Sequence, residues 1–241
     1  MKILDDLIST LRGDSVVREV YTCVFWTAVV TRHCGLASTL YEGHPFHKIV
    51  RDPGKLRGKS ALELVEYAKS DHLLEASIGM AAINSLIDID EARCTEKNAF
   101  DALAEKGRGK NIALVGHFPW IPKLREIARN LWVIEQRPRE GELPPQVTED
   151  ILPQADVVGL TGTAFTNHTI EKLLALSQGK FIVVIGPTSP LSPVLFDYGV
   201  DVIGGTKIVD PEKTIRFITE GAIHTQTAGI KHLNMFREKN K

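Results

Sequence analysis

"NIALVGHFPWIP" (residues 111–122) decides how the second half of this chain is read. An apolar run, Ile112 to Val115, ends in Gly116, and a helical pattern follows. That is the strand–turn–helix opening of an α/β unit. A dinucleotide site would place two more glycines in the turn, so that a pyrophosphate could approach the backbone. Here the turn carries His117, Phe118 and Pro119 instead. The strand is retained and the phosphate cradle is not.

The same rhythm continues downstream. Apolar runs at 112–115, 131–134, 156–160, 181–185 and 200–203 alternate with helical patterns near 121–129, 146–152, 167–177, 191–198 and 211–220. Asp210 followed by Pro211 is a cap-then-proline helix start. Alternation of this kind predicts a parallel sheet with helices on both faces. Residues 108–241 therefore read as a Rossmann-like α/β domain.

Upstream the pattern differs. Ile3, Leu4, Leu7, Ile8 and Leu11 share one helical face. Residues 16–31 are β-branched and aromatic and predict two strands, with a third at 35–41. Ser60 and Glu63 match a capping box opening a helix to about Lys69. A further helix spans about 71–87; its "ASIGMAAINSLI" is apolar on nearly every face, so it should be buried. Gly79 in its middle costs about 1 kcal/mol relative to alanine. It therefore marks a close approach by another element or, less often, a ligand. A last helix over 95–106 stops at Gly107. Residues 1–107 thus read as a smaller α+β domain, and the chain as α/β overall.

The length of 241 residues suits one large or two modest domains, and 43% hydrophobic residues suffice for real cores. A net charge of −1 argues against a nucleic-acid footprint. No apolar run approaches the ~20 residues of a membrane span. "MKILDDLISTL" is amphipathic rather than a signal-peptide core. Cys23, Cys34 and Cys94 form no CxxC pair, which suits a reducing cytoplasm.

Ligands of open parallel sheets bind at the carboxyl ends of the strands. Those ends are rich in glycine, small hydroxyls, amides and imidazoles. The first carries His117 and Phe118, and the second Glu135, 19 residues after Gly116. The third carries Thr161, Thr163, Thr166, Asn167 and His168, and the fourth Thr188 and Ser189 between prolines. So many hydroxyls at one edge exceed what turns require, and predict a ligand site. His117 could donate to an anion, move a proton near neutral pH or bind a metal. A histidine bonded to a neighbouring loop is an equal alternative. His168 reads more simply as solvent-facing.

Three stretches carry less. "GKLRGKS" (54–60) has three residues between its glycines where a P-loop needs four, and follows no strand. "HPFH" (44–47) offers two imidazoles where a zinc site needs about four ligands, or three and an open position. "RPREGELPPQ" (137–146) has no packing pattern and reads as a flap or a long loop.

Taken together, "VGHFPWI", "VIEQRP", "LTGTAFTNHTIEKLL", "VVIGPTSPLSPVLFDYGVDVIGG" and "SIGMAAINSLI" resemble the heavy-metal chelation family. The resemblance implies an enolase-N-terminal-like domain before a Rossmann-like one, with a site in the cleft between them. It implies a pocket around His117, Phe118, Glu135, Thr161, Thr163, Asn167, Thr188 and Ser189. Residues 35–39 and the helix bearing Gly79 and Asn84 would contribute from the small domain. The leading expectation is a protein that binds a metal ion or metal chelate, with His117 as a ligand. The rival is an enzyme acting on a small anion, with His117 as general acid or base and Glu135 orienting it. A homo-oligomer is compatible with either. A soft metal would want thiolates, and no cysteine falls on the predicted edge. A chelate bringing its own donor atoms reconciles the two.

Overall fold

The computed structural model describes residues 1–41, 49–96 and 99–238. The His44–His47 pair lies outside the described residues. Helix α1 (Lys2–Ser9) buries Ile3, Leu4 and Leu7, as their spacing predicts. Strands β1 (Glu19–Thr22), β2 (Trp26–Val30) and β3 (Cys34–Ser38) form an antiparallel meander. Helix α2 (Ala61–Val65) runs on into a 3-10 turn, Glu66–Lys69. The expected capping box does not form. Ser60 makes no side-chain cap, because its hydroxyl bonds Asp14. Asp14 instead accepts from Leu62 N at 3.1 Å, and Glu63 turns outward to Lys59.

Helix α3 (Leu73–Leu86) has eleven of its fourteen residues buried, so it is enclosed rather than amphipathic. Its first turn is capped by His72 Nδ1, which accepts from Glu75 N at 3.2 Å. Gly79 is a packing glycine. A Cβ there would stand 1.9 Å from Ala68 N of the 3-10 turn. On β3, a Cβ at Gly35 would stand 2.1 Å from Ala81 O of the same helix. The alternatives open for Gly79 thus resolve to another element and not to a ligand.

The rest of the chain builds one seven-stranded sheet. In order come β4 (Cys94–Thr95), α4 (Ala99–Gly107), β5 (Asn111–Val115), α5 (Ile121–Ile127) and β6 (Asn130–Ile134). Then follow α6 (Thr148–Ile151), β7 (Val157–Thr161), α7 (Thr163–Thr166), α8 (Ile170–Leu176) and β8 (Phe181–Ile185). The chain continues through α9 (Val194–Asp197), β9 (Val202–Ile208), α10 (Pro211–Thr219) and β10 (Ile230–Phe236). The spatial order is β4-β10-β9-β8-β7-β5-β6, with β6, β5, β7, β8 and β9 parallel. Strand β10 is antiparallel to β9, and β4 to β10.

Alternate residues of the parallel strands serve opposite cores. Ile112, Leu114 and Val133 pack with Leu103, Ile121 and Leu124 of α4 and α5. Ala113, Val158 and Leu160 face Phe165, Ile170 and Leu173, and that core runs on without a break into α3 and α1. The two halves share this core. Residues 94–96 and 99–107, which the sequence placed with the first half, pack with the large sheet, because β4 pairs with β10 and Ala99 and Leu103 join the core under α4. Of the helix expected at 167–177 only α8, from Ile170, forms; α7 is a separate short helix upstream, and His168 between them has φ 61°. Strand β10 was not expected. Among the described residues no helix is long and apolar enough to cross a membrane.

The meander is also tied to the C-terminal segment. Trp26 Nε1 donates to Ala222 O at 2.9 Å, and the Trp26 ring lies 6.0 Å from that of His224. His224 sits 4.7 Å from His232, centroid to centroid. Burial, and secondarily the neighbouring imidazole, lower the His224 pKa from 6.5 to about 4.

Two outcomes follow from this packing. Gly79→Ala, which helix propensity alone would make stabilising by about 1 kcal/mol, should destabilise by about 3 kcal/mol through backbone overlap. Chemical denaturation of the two proteins checks the sign. His224 takes up a proton near 6.5 when unfolded but only near 4 when folded. Its contribution is therefore present above pH 6.5 and lost as pH falls through 4. His224→Gln should show a shallower loss of stability across that window than the parent.

Candidate functional site

Strand β5 lies between β6 and β7, so the chain must pass over β5 on its way from β6 to β7. The connections leaving the carboxyl ends of β5 and β7 diverge, and this is where open α/β sheets form crevices. A cavity of about 200 Å³ lies there, lined among others by Gly116, Glu135, Thr161, Thr163, Asn167 and Lys172. Four residues nominated by sequence, Glu135, Thr161, Thr163 and Asn167, are thus brought together.

Local geometry explains each. Gly116 takes φ 116° and donates to Ile134 O, and a Cβ there would lie 2.8 Å from Thr161 Cβ. Only glycine lets β5 end so close to β7. The Thr161 and Thr163 hydroxyls lie 3.0 Å apart. Asn167 Oδ1 accepts from Thr169 Oγ1 at 2.7 Å and from Thr169 N at 3.3 Å. Glu135 Oε2 accepts only from its neighbour Gln136 N, at 3.0 Å, and has no ion-pair partner among the described residues. Lys172 is paired with Glu149 at 2.6 Å. The wall therefore presents a carboxylate, two hydroxyls and an amide, with one cation already paired.

His117 and Phe118 line a separate recess next along the turn. Phe118 stacks on Trp120 at 4.6 Å and 10°, so its ring is committed to packing. His117 Nδ1 is 2.5 Å from Glu142 Oε1, and Arg139 Nη1 donates to its Nε2 at 3.1 Å. Glu142, not Glu135, is its carboxylate partner. Glu142 Oε2 also accepts from Arg139 N at 2.9 Å. That bond and His117 hold the Glu142 carboxyl below its usual range, against the opposing effect of burial. Both Arg139 and Glu142 come from the 137–146 segment. It is laid along β6, with Leu143 N donating to Val133 O at 2.7 Å and Glu135 N to Leu143 O at 2.9 Å. As expected of a long loop, residues 137–144 form no helix or strand, but one bridge, Leu143 with Ile134, pins the segment to β6. Sequence reasoning missed these two residues, since only the turn at Gly141 (φ 80°) signals how the segment doubles back.

The remaining nominees are structural. Thr188 and Ser189 are 1% and 2% exposed, which closes the edge to ligand at these positions. Thr188 Oγ1 accepts from Ser38 N at 2.9 Å. Asn84 Nδ2 donates to Leu36 O at 2.9 Å and Thr188 O at 3.2 Å, so it ties α3, β3 and the 186–193 loop together. Ser189 is packed against Gly162. His168 is half-buried, not solvent-facing, and its Nε2 bonds Ala68 O at 2.7 Å. These bonds hold the halves together where a cleft was expected.

The donor set does not suit a bare metal ion. Among the described residues no three of His, Cys, Asp or Glu gather in a metal-holding group. Burial raises the Cys34 thiol to about 12 and pushes Cys23 and Cys94 upward. In this structure Nδ1 of His117 faces Glu142 and Nε2 accepts from Arg139, and no second metal-type donor is grouped with it among the described residues beyond Glu142.

Known proteins agree with this architecture. The structure is similar to a DUF364-family protein of unknown function from Desulfitobacterium hafniense, with a TM-score of 0.86, 26% identity and 98% of each chain covered. It has the fold of a DUF364-family protein of unknown function from Pyrococcus horikoshii, with a TM-score of 0.84, 19% identity and 98% of each chain covered. No curated protein matches the chain. Residues 4–87 match the DUF4213 family model and residues 98–234 the DUF364 model, both described as "Putative heavy-metal chelation". The chain belongs to the DUF364 heavy-metal chelation family.

Proposed function

We propose that this protein binds a small metal chelate in the cavity at the carboxyl ends of β5 and β7. The observation that carries the reading is the composition of that cavity: Glu135, Thr161, Thr163 and Asn167 around about 200 Å³. Such a wall recognises the oxygen and nitrogen atoms of an organic ligand by directed hydrogen bonds. It does not supply the soft or numerous donors a bare heavy metal would require. The metal is therefore cargo, held by the ligand's own donor atoms, and the protein reads the ligand's outer face. The family description supports the metal, and the hydroxyl-rich wall supports the organic part. Three free cysteines support a reducing compartment such as the cytoplasm in this reading.

Thermal denaturation tests it with nickel(II), citrate and the nickel–citrate complex, each offered to the whole chain. Saturation at about one hundred times Kd is worth ~2.7 kcal/mol. For a chain of this size that raises Tm by about 5–10 °C. The complex should give this rise, and nickel alone should not. Thr161→Val should abolish the rise and leave the Tm of the free protein within a few degrees. An equal rise with nickel alone, or one that survives both Thr161→Val and Glu135→Gln, overturns the reading.

A further inference from the structure

The recess beside His117, of about 600 Å³, is distinct from the chelate cavity and is not explained by it. The ring of His117 is held between two groups that impose the same protonation pattern. Arg139 can only donate, so the Nε2 facing its Nη1 at 3.1 Å must be an acceptor. The ionised Glu142 can only accept, so Nδ1, 2.5 Å away, carries the proton. Glu142 is itself fixed, with a side chain only 7% exposed and its second oxygen held by Arg139 N. The imidazole is thus neutral, oriented, and backed by a buried carboxylate. This is the arrangement in which a histidine takes up a proton at its far nitrogen, because the imidazolium that forms is stabilised from behind.

Arg139 is the second component. Its guanidinium has no ion-pair partner among the described residues and donates to the neutral Nε2. A carboxylate offers the guanidinium fork two charged acceptors and a much stronger pairing. Arg125 lies in the same recess, while Glu126 and Glu140 line it too. With the ionised Glu142, three glutamates face two arginines there, which leaves the recess net negative. Such a field opposes a polyanion such as phosphate more than a singly charged acid paired by Arg139.

We propose that this recess is a proton-transfer site for a small monocarboxylate. His117 Nε2 is the proton acceptor, Glu142 the positioning residue, and Arg139 the group that holds the carboxylate. When the acid binds, Arg139 turns from Nε2 to the carboxylate and the nitrogen lone pair faces the ligand. A proton leaves a C–H or O–H group of the ligand for Nε2. The electron pair of the broken bond stays on the ligand, and the positive charge rests on the imidazolium against Glu142. Return of the proton reverses the step, so no further reactant is consumed. This inference does not rest on the chelate reading, which concerns Glu135 and Thr161.

The test is ¹⁵N NMR of the histidine-labelled whole chain, with the His117 signals identified by their loss in His117→Ala. The free protein should show the Nδ1–H tautomer. Acetate, lactate or pyruvate should shift the Nε2 signal saturably, and inorganic phosphate should do so more weakly. Arg139→Met should weaken that response about tenfold or more. Glu142→Gln should mix the tautomers, and Glu142→Asp should restore them, with Tm confirming that each variant is folded. A Nε2–H tautomer in the free protein overturns the proposal. So does a Nε2 signal unmoved by all three acids, or a response unchanged in Arg139→Met. Thr161→Val should leave all these signals in place, which separates failure here from failure of the chelate reading.

Discussion

The enclosure of α3 is the constraint from which the rest of the architecture follows. A helix with eleven of fourteen residues buried has no solvent face to spare, so the chain must wrap it. The meander covers one side, α2 and its 3-10 turn another, and α7 a third. Two of these approaches are backbone to backbone, and each requires a position without a Cβ, Gly35 on β3 and Gly79 on the helix. Because α3 belongs at once to the first half and to the core under the large sheet, the halves are joined by packing and not by a linker. A continuous core of this kind resists rigid-body separation.

Polar groups at that joint have been drawn into holding it. Thr188 bonds Ser38 and Asn84, and His168 bonds Ala68, across the halves. Buried groups of this type must be paired, since an unpaired one costs about 1–3 kcal/mol. The same residue types would serve to bind a ligand. Position in the fold separates the two uses. Side chains at the ends of β6 and β7 face a crevice, and those after β8 face another element.

This is why the sequence reads well for the sheet and less well for the site. The five parallel strands are apolar runs bounded by turn residues, and each was legible because a strand buried on both faces carries its signal locally. Strand β10 was not, since "IKHLNMF" mixes charge, imidazole and apolar residues on a strand flanked by the short β4. The helix at 167–177 was legible in periodicity, but it starts only at Ile170, after His168, whose ring bonds Ala68 a hundred residues away. Ser60 was a sound capping signal overruled by Asp14 from a segment the pattern could not link to it. Of the site, Glu135, Thr161, Thr163 and Asn167 were legible because strand order alone brings them together. Glu142 and Arg139 were not, because the path of 137–146 depends on pairing with β6 that has no sequence signature.

The turn after β5 shows how a phosphate-binding position can be put to other use. In a dinucleotide fold the glycines keep this backbone bare for a pyrophosphate. Here Gly116 keeps only the close approach of β5 to β7, and the next residue projects an imidazole into a recess of its own. One peptide unit thus divides two environments. On the Gly116 side lies a wall of hydroxyls, amide and carboxylate suited to directed hydrogen bonds with a neutral or chelating ligand. On the His117 side lies a charged array whose protonation is fixed by Glu142 and Arg139. Neither side suits a pyrophosphate, since the first is small and carries Glu135, and in the second three glutamates outnumber two arginines. One turn that lacks the glycine pattern thus removes the phosphate cradle, while the sheet that supports it is kept.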